Sequence, residues 1–211
     1  MSLKPGMRVL DMGCGMGMTS IFLAKEYGVT FYANDLWIKP TENYKRFKEA
    51  GLEDKIIPIY AEAHALPYTE EFFDAIISID SYFYYGTDAL YLDYISKFLK
   101  NGSQIGIVIP ALIKEFDDNG APDYMMPYWD WAMYAFHTPE WWKRLWCFSQ
   151  CIEVEVSDFL PDGFNVWFHW EKIGQSTFNS ERDGDFKLLL VDNGNYLSFG
   201  RTVGKKVTKR W

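Results

Sequence analysis

The stretch VLDMGCGMG, residues 9–17, decides the fold of this chain. It places Gly13, Gly15 and Gly17 at alternate positions, directly after a short apolar run. Glycine permits the tight turn by which a strand enters a helix, and it lets a ligand approach the backbone closely. The amides at the N-terminus of the following helix point toward such a ligand. The stretch therefore predicts a strand, a ligand-binding turn and a helix near the start of the chain.

Strands and helices alternate over the first half of the sequence. Several of the β-branched runs are apolar on both faces, as in a parallel sheet covered on both sides. Thr41 predicts a helix start, with the helix running to Ala50, and Thr87 predicts another, with a buried stripe reaching Leu99. Right-handed crossovers then give a doubly wound α/β sheet. The predicted strands are Arg8–Met12, Val29–Ala33, Ile56–Tyr60, Ala75–Ile79 and Gln104–Ile109.

The alternation of strands and helices ends after Pro110, where acidic residues, prolines and aromatic residues mix without a regular hydrophobic periodicity. Thr138 followed by Pro139 predicts the start of a helix that runs to about Phe148. No linker divides the chain, so a single domain is expected. The remaining predictions are strands at Ile152–Val156 and Tyr196–Val207, and helices at Phe164–Ile173 and Asp185–Val191.

Composition excludes several classes of function. The net charge of −8 argues against nucleic acid as a partner, because such proteins usually present a basic surface. The three cysteines have no C-x-x-C spacing, so no disulfide framework and no metal site are predicted. The apolar runs are too short for a membrane span, and the first residues lack the apolar core of a signal peptide. We therefore expect a cytoplasmic protein.

Two further segments carry side chains suited to a nucleoside. Asp35 follows the second predicted strand, where a carboxylate can accept both hydroxyls of a ribose, although an Asp there is often only a turn residue. Trp37 is placed to cover an adenine face, and core packing is the alternative. Leu36 lies between Asp35 and Trp37 in the sequence. In AEAHALPY, residues 61–68, Glu62 can accept from an adenine amino group and Ala63 can donate its amide to a ring nitrogen.

Together these features resemble the class I S-adenosylmethionine-dependent methyltransferases, and most closely their small-molecule branch with its UbiE-like and cyclopropane-synthase-like members. The form D-x-G-x-G-x-G is typical of methyltransferases. The dinucleotide form G-x-G-x-x-G does not fit, because position 18 is methionine. The resemblance spans roughly Leu3 to Pro110, in LKPGMRVLDMGCGMG, ANDLW, AEAHALPY, FFDAIISID and ISKFLKNGSQIGI.

The resemblance implies a seven-stranded, mostly parallel Rossmann-like sheet with an antiparallel last strand and an aromatic-rich insertion after strand 5. It implies one domain over residues 1–211, with a cofactor-binding half at 1–110 and an acceptor and cap half at 111–211. S-adenosylmethionine is the implied cofactor, and Glu62 stands where the family commonly has Asp. The implied cofactor residues are Asp11, Gly13, Cys14, Gly15, Gly17, Asp35, Leu36, Trp37, Glu62, Ala63, Ile79 and Asp80.

The acceptor side offers two candidate catalytic residues. Asp80 opens the loop DSYFYYG, in which Tyr82, Tyr84 and Tyr85 would line an acceptor pocket. The alternative is that Asp80 caps a turn while the aromatic rings pack on the core. His137 is the second candidate base, because the segment after the fifth strand usually lines the acceptor pocket in this family. A packed or surface histidine is its alternative.

Aromatic residues crowd the segment YWDWAMYAFHTPEWWKRLW, residues 128–146. Trp141 and Trp142 would wall an acceptor pocket for an apolar, aromatic or cationic small molecule. The alternative is a hydrophobic cap on the sheet. The N-P-P-Y and Pro-Cys motifs of enzymes that methylate nucleic acids are absent.

The predicted function is methyl transfer from S-adenosylmethionine to a small-molecule acceptor, with the nucleophile (N, O or C) left open. A non-catalytic S-adenosylmethionine-binding protein is one alternative, and an NAD-dependent oxidoreductase is another. Family relatives usually carry lid helices before the first strand, whereas MSLKPG leads straight into it. We therefore expect an uncovered face, weak cofactor affinity, little turnover and self-association over that face.

Overall fold

A computed structural model of the chain describes residues 1–178 and 183–208. Its centre is one seven-stranded sheet. The strands are β1 (Arg8–Met12), β2 (Thr30–Asp35), β3 (Ile56–Tyr60), β4 (Phe73–Ile79), β5 (Leu99–Leu112), β6 (Ile152–Phe159) and β7 (Leu197–Lys206). The helices are α1 (Met18–Tyr27), α2 (Pro40–Glu49), α3 (Tyr91–Ser96), α4 (Pro139–Trp146), α5 (Gly163–Phe178) and α6 (Asp183–Asp192).

The strand order is β3-β2-β1-β4-β5-β7-β6. Strand β1 lies at the centre of the parallel part, where Val9 pairs with Phe31 on one side and with Ala75 on the other. Strand β7 runs antiparallel to both β5 and β6. This confirms the predicted fold class, including the antiparallel last strand and the aromatic-rich segment between β5 and α4.

Burial on both faces explains why β1 is apolar at consecutive positions. Val9 and Leu10 are consecutive in β1, so their side chains point to opposite faces, yet both are fully buried. Val9 packs in a cluster with Phe31 and Phe47, and Leu10 packs in a larger one with Phe73. Helices therefore cover both sides of the sheet, and its strand ends remain as the edges open to a ligand.

Two predicted helix starts are wrong. Helix α2 begins at Pro40 with Lys39 as its N-cap, because proline suits the first helical position; Thr41 lies inside the helix. Helix α3 covers only Tyr91–Ser96, because the Asp88 side chain accepts the Leu90 amide at 2.9 Å and holds a turn where Thr87 was expected to start a helix.

The chain between α3 and the predicted strand at Gln104 also differs from the prediction. Leu99 belongs to β5, not to a helix, and it pairs with Phe73 across a bulge in the β4–β5 ladder. Strand β5 therefore starts five residues earlier and ends three residues later than predicted, at Leu112. The start of α4 is confirmed, since the Thr138 hydroxyl accepts the Trp141 amide at 3.2 Å and Pro139 follows the cap.

Among the described residues, no helix is both long enough and apolar enough to cross a membrane.

We expect Gly17→Ala to destabilise the fold more than Gly51→Ala. Both glycines have positive φ angles, +78° and +68°, so both substitutions carry the same kind of backbone strain. A Cβ on Gly17 would lie 2.3 Å from the Phe47 ring, whereas one on Gly51 would meet nothing within 4 Å. The additional loss for Gly17→Ala should be about 1–3 kcal/mol of unfolding free energy in urea denaturation. Equal losses would show that Phe47 moves aside freely.

Candidate functional site

The glycine turn between β1 and α1 stands at the carboxyl edge of the sheet. The amides of Gly13 and Cys14 both donate to the Asn34 carbonyl, at 2.9 and 3.0 Å. A Cβ on Gly13 would meet Ser81 Oγ at 1.8 Å, and one on Gly17 would meet Phe47. Gly15 also has a positive φ, +54°, but nothing lies within 4 Å of its Cβ position. Packing thus requires glycine at positions 13 and 17, whereas the centre of the turn, at Gly15, is open for a ligand.

Asp35 connects this turn to the end of β2. Its Oδ2 accepts the Gly15 amide at 2.8 Å, and its Oδ1 accepts the amides of Trp37 and Ile38 at 2.7 and 2.8 Å. A carboxylate has about four acceptor positions, so these three bonds leave one on Oδ2. The sequence predicted a ribose ligand for Asp35, and the remaining position is suited to one hydroxyl.

Asp11 is buried beneath the turn, and its Oδ2 accepts the Ser20 hydroxyl at 2.6 Å. Burial raises the pKa of Asp11 to about 6; the Ser20 hydrogen bond opposes this shift and the negative charge of Asp35 adds to it. Cys14 is largely enclosed as well. Burial, with the charges of Asp11 and Asp35, raises the pKa of its thiol, so the sulfur stays protonated. Cys14 therefore contributes its backbone to the turn.

Asn43 is a residue of this site that sequence analysis missed. It lies on α2, is buried, and donates from Nδ2 to the Gly15 carbonyl at 2.8 Å. Together with Asp35 it fixes Gly15 from both its amide and its carbonyl. The sequence offers one signal, a polar residue on the helix that follows the Asp35 strand. Only the packing of α2 shows that this residue is buried and that it contacts Gly15.

The predicted adenine side is exposed. Trp37 is 71% exposed and meets the Tyr84 ring edge-on, with 5.0 Å between the ring centroids. The core-packing alternative for Trp37 is therefore wrong. Glu62 accepts the His64 amide at 2.7 Å and lies 3.0 Å from Nδ1 of the same residue. Leu36 is exposed, and the Ala63 carbonyl accepts the Tyr91 hydroxyl at 3.3 Å. The adenine roles of Leu36, Trp37, Glu62 and Ala63 stay predictions.

Asp80 lies directly after β4, beside the glycine turn. Its φ of +57° is strained for a residue with a side chain, and such strain is concentrated at functional sites. Its amide donates to the Val108 carbonyl at 2.7 Å, which holds this conformation. The Asp80 residue is exposed, as is Ile79 before it. The structure therefore presents Asp80 at the open edge.

The three tyrosines of this loop differ in exposure. Tyr84 is exposed, whereas Tyr82 is fully buried and its hydroxyl has no hydrogen-bond partner. The Tyr85 hydroxyl contacts the Ser78 hydroxyl at 2.9 Å and donates to the Met12 carbonyl at 3.2 Å. Tyr85 thus ties β4 to the end of β1. For Tyr82 the structure shows the packing alternative.

His137 stands above the end of β5 in a defined arrangement. Its Nδ1 lies 2.9 Å from Oε2 of Glu115, whose Oε1 accepts the amide and the hydroxyl of Thr138 at 2.7 and 2.8 Å. Burial raises the pKa of Glu115, but these bonds outweigh it and hold the pKa below its usual range. Glu115 was missed because nothing in the sequence relates it to a residue so far along the chain.

The two tryptophans predicted to wall the acceptor pocket are not equivalent. The Trp141 indole stacks on the His137 ring, with centroids 3.7 Å apart and planes 10° from parallel, and it is partly exposed. Trp142 is 1% exposed and packs against Tyr82. Trp142 therefore belongs to the core, as the hydrophobic-cap alternative states, and only Trp141 is placed to meet a ligand from solvent.

A cleft of about 260 Å³ lies at the opposite edge of the sheet. It is lined by the N-terminal residues, by Ala75 at the start of β4 and by Gln104 in β5. Parallel α/β sheets bind their ligands at the carboxyl ends of the strands, so this cleft lies on the wrong side for the cofactor. The glycine turn, Asp35 and Asp80 define the candidate site instead.

Comparison with known proteins points to methyltransferases. Residues 9–102 match the family model described as methyltransferase domain, which covers β1 through the start of β5. Methyltransferase GfsG of Streptomyces halstedii is 28% identical over 119 residues, which is 56% of this chain and 43% of that protein. The 2-methyl-6-phytyl-1,4-hydroquinone methyltransferase of Synechocystis is 31% identical over 122 residues, which is 57% of this chain and 36% of that protein.

Solved structures resemble nearly the whole chain. Phosphoethanolamine N-methyltransferase 2 of Haemonchus contortus, solved with S-adenosyl-L-methionine, matches with a TM-score of 0.78 at 15% identity. The match covers 98% of this chain and 50% of that one. At this identity the likeness concerns the fold. The curated relatives are much longer than the part that this chain matches, since it covers less than half of each.

The Asp11 carboxyl gives a pH-dependent prediction. Its folded pKa of about 6 exceeds the usual 3.8, so the folded state binds the proton more tightly than the unfolded state does. Its stabilising contribution is complete below pH 4 and is lost as the pH rises from about 4 to 6, by about 3 kcal/mol. The unfolding free energy of the wild type minus that of Asp11→Asn should fall by about 2 kcal/mol between pH 4 and pH 7, because the unfolded carboxyl is already partly ionised at pH 4. A flat difference, measured in urea, would contradict the burial of a titrating carboxyl.

Proposed function

We propose that this chain, which carries a class I S-adenosylmethionine-dependent methyltransferase domain, transfers a methyl group from S-adenosylmethionine to a small-molecule acceptor. The observation that carries the proposal is the turn at Gly15. Its Cβ position faces open space, its amide and carbonyl are fixed by Asp35 and Asn43, and Asp35 keeps one acceptor position for a hydroxyl. This arrangement fits a nucleoside whose other end carries an amino acid.

The residues that would hold the cofactor follow from the turn. Backbone atoms around Gly13 and Gly15 would contact its methionine part, and Asp35 would accept a ribose hydroxyl. Trp37, exposed and edge-on to Tyr84, would cover the adenine ring. S-adenosylmethionine supplies a methyl group on a sulfonium sulfur, and the reaction requires a nucleophile in line with that bond.

The chain's own contribution to catalysis would be alignment and proton transfer. We assign Asp80 to the acceptor, because this exposed residue follows β4 beside the glycine turn and its backbone is held in a strained conformation. An acceptor that reacts through nitrogen or oxygen also loses a proton, and His137 is the proposed base. Both roles require the acceptor to lie between β4 and the segment after β5.

The acceptor class follows from the surfaces that surround this space. Tyr84 is exposed in the loop that Asp80 opens, and Trp141 stacks on the imidazole that Glu115 contacts, so both places combine an aromatic ring with an acidic residue, which attracts aromatic and cationic molecules. Some of the similar proteins are named for a hydroquinone and for phosphoethanolamine, which belong to these two classes. We therefore propose an acceptor with a phenolic hydroxyl or an amine.

The two other functions are weaker. An NAD-dependent oxidoreductase would need a third glycine at position 18, where this chain has methionine. A non-catalytic binding protein would keep the cofactor residues without an acceptor, and the test below distinguishes it. Cytoplasmic location and self-association over an uncovered face stay predictions.

We expect wild-type protein to bind S-adenosylhomocysteine in calorimetry and Asp35→Asn to bind it more weakly by about 1.5–3 kcal/mol. The amide keeps the size of the side chain, but it loses the charge and cannot accept on both atoms. Asp54→Asn is the matched control, because Asp54 is exposed and remote from the turn in sequence. Equal affinities for wild type and Asp35→Asn would remove Asp35 from the site, and no binding by the wild type would refute the proposal.

Replacing Trp141 by leucine should lower acceptor turnover more than cofactor affinity. The test uses labelled S-adenosylmethionine with a panel of hydroquinones and phosphoethanolamine. The control is Trp131→Leu, because Trp131 is 77% exposed. Cofactor binding without turnover of any panel member by the wild type would favour the non-catalytic alternative. Equal effects of the two substitutions would remove Trp141 from the acceptor pocket.

A further inference from the structure

Glu115 and His137 form a pair in which only His137 has a role in proton transfer under the proposed function. Their side chains meet at 2.9 Å between Oε2 and Nδ1, although 22 residues separate them along the chain. The other carboxylate oxygen is occupied by the amide and hydroxyl of Thr138. A carboxylate held at both oxygens has a fixed orientation, so it presents Oε2 to the imidazole in one geometry.

The imidazole is fixed in its plane as well. The indole of Trp141 stacks on it, almost parallel, at 3.7 Å between centroids. The backbone of His137 is joined to β5, since its carbonyl accepts the Leu112 amide at 3.3 Å. Neighbouring groups thus set the position of the ring, its tilt and the partner of Nδ1. A histidine that only faces solvent has no such set of contacts.

The chemistry of the pair determines the tautomer. A carboxylate only accepts hydrogen bonds, and the surrounding donors keep Glu115 ionised, so Nδ1 must carry the proton that joins the two. In the neutral imidazole the lone pair then lies on Nε2. His137 keeps 22% of its side-chain surface exposed, so the side chain is partly open to solvent.

The pair also lies on the side of the sheet where the acceptor is expected. Val108 of β5 pairs with Ile79, the last residue of β4, and β5 continues from there to Leu112. The four residues of β5 after Val108 extend the strand by about 13 Å beyond the end of β4. The pair therefore stands above the carboxyl edge, on the same side as Asp80 and the glycine turn.

We propose that Glu115 is a positioning residue, which holds His137 in the tautomer whose basic nitrogen is Nε2 and so makes Nε2 the proton acceptor for methyl transfer. The inference rests on the proposed function. As the acceptor oxygen or nitrogen forms its bond to the methyl carbon, it releases its proton to Nε2, and the electron pair of the broken carbon–sulfur bond remains on sulfur. The resulting imidazolium is stabilised by the Glu115 carboxylate.

The first test needs no substrate. Nitrogen-15 shifts of the three histidine rings in the wild-type chain report their tautomers, and His137→Gln identifies the His137 signals. We expect the Nδ1–H form for His137 and a loss of that preference in Glu115→Gln. The signals of His64 and His169 should not move. An Nε2–H tautomer in the wild type, or an unchanged one in Glu115→Gln, would overturn the proposal even if the protein methylates its acceptor.

The second test uses turnover of the hydroquinone and phosphoethanolamine panel. Glu115→Gln should lower kcat by tenfold or more, within the usual range for a proton-transfer group, and should leave the affinity for S-adenosylhomocysteine within about twofold. Glu115→Asp, which keeps the charge, should restore part of the rate. Glu140→Gln, which removes a charge from an exposed position in α4, should change neither. Full kcat in Glu115→Gln would overturn the proposal.

The two tests separate failure of this inference from failure of the proposed function. If the wild type binds no S-adenosylhomocysteine, the proposed function fails while the tautomer measurement still decides the role of Glu115 toward the ring. If Glu115→Gln does not fold, the wild-type shifts and the turnover rate of Glu115→Asp still decide the role of Glu115. The inference is refuted if the wild-type His137 ring is in the Nε2–H form and Glu115→Asp is as slow as His137→Gln.

Discussion

The hydrogen bond from the Gly15 amide to Asp35 Oδ2, 2.8 Å long, is the contact on which the arrangement of the candidate site depends. It joins the first strand-to-helix turn to the end of the neighbouring strand, so the two segments cannot shift independently. Asn43 adds a bond to the Gly15 carbonyl from the helix that follows. The peptide at the centre of the turn is thereby fixed from two elements, which preorganises it for a ligand.

The Asp35 carboxylate has a structural task as well as the binding task proposed for it. Three of its acceptor positions are used within the protein, and the partners are main-chain amides that cannot bond elsewhere without moving the turn. Burial raises the pKa of the nearby Asp11 carboxyl to about 6, and the negative charge of Asp35 adds to this shift, so the ionised form of Asp11 is destabilised in the fold.

The proposed acceptor side is held together in a different way. The segment between β5 and α4 has little regular structure, and it is held by side-chain contacts to distant residues. Glu115 binds His137 and Thr138, and Lys114 lies over the Tyr196 ring at 4.4 Å. The Tyr124 hydroxyl reaches Asp192, a buried residue whose carboxylate also accepts the amide of Leu197, the first residue of β7. A site formed in this way can change its specificity by substitution while the sheet stays the same.

The sequence by itself determined the parts of the molecule that depend on neighbours along the chain. Alternating glycines predicted the turn, apolar runs predicted the strands, and Thr138 with Pro139 predicted the start of α4, because each signal acts through local backbone geometry. The fold class followed, and so did the position of Asp35 at the site. The local rules failed at the start of α2, which Pro40 fixes, at the start of α3, where Asp88 holds a turn, and at the start of β5, where Leu99 pairs with Phe73.

Only the tertiary structure decided which distant residues meet. Asn43 reaches Gly15, Glu115 reaches His137, and Trp142 enters the core while its neighbour Trp141 stays at the surface. None of these outcomes follows from residue type or spacing, because each depends on how a helix or loop lies against the sheet. Adjacent residues on a helix point about 100° apart, so the packing of α4 sends one tryptophan inward and leaves the next beside the imidazole.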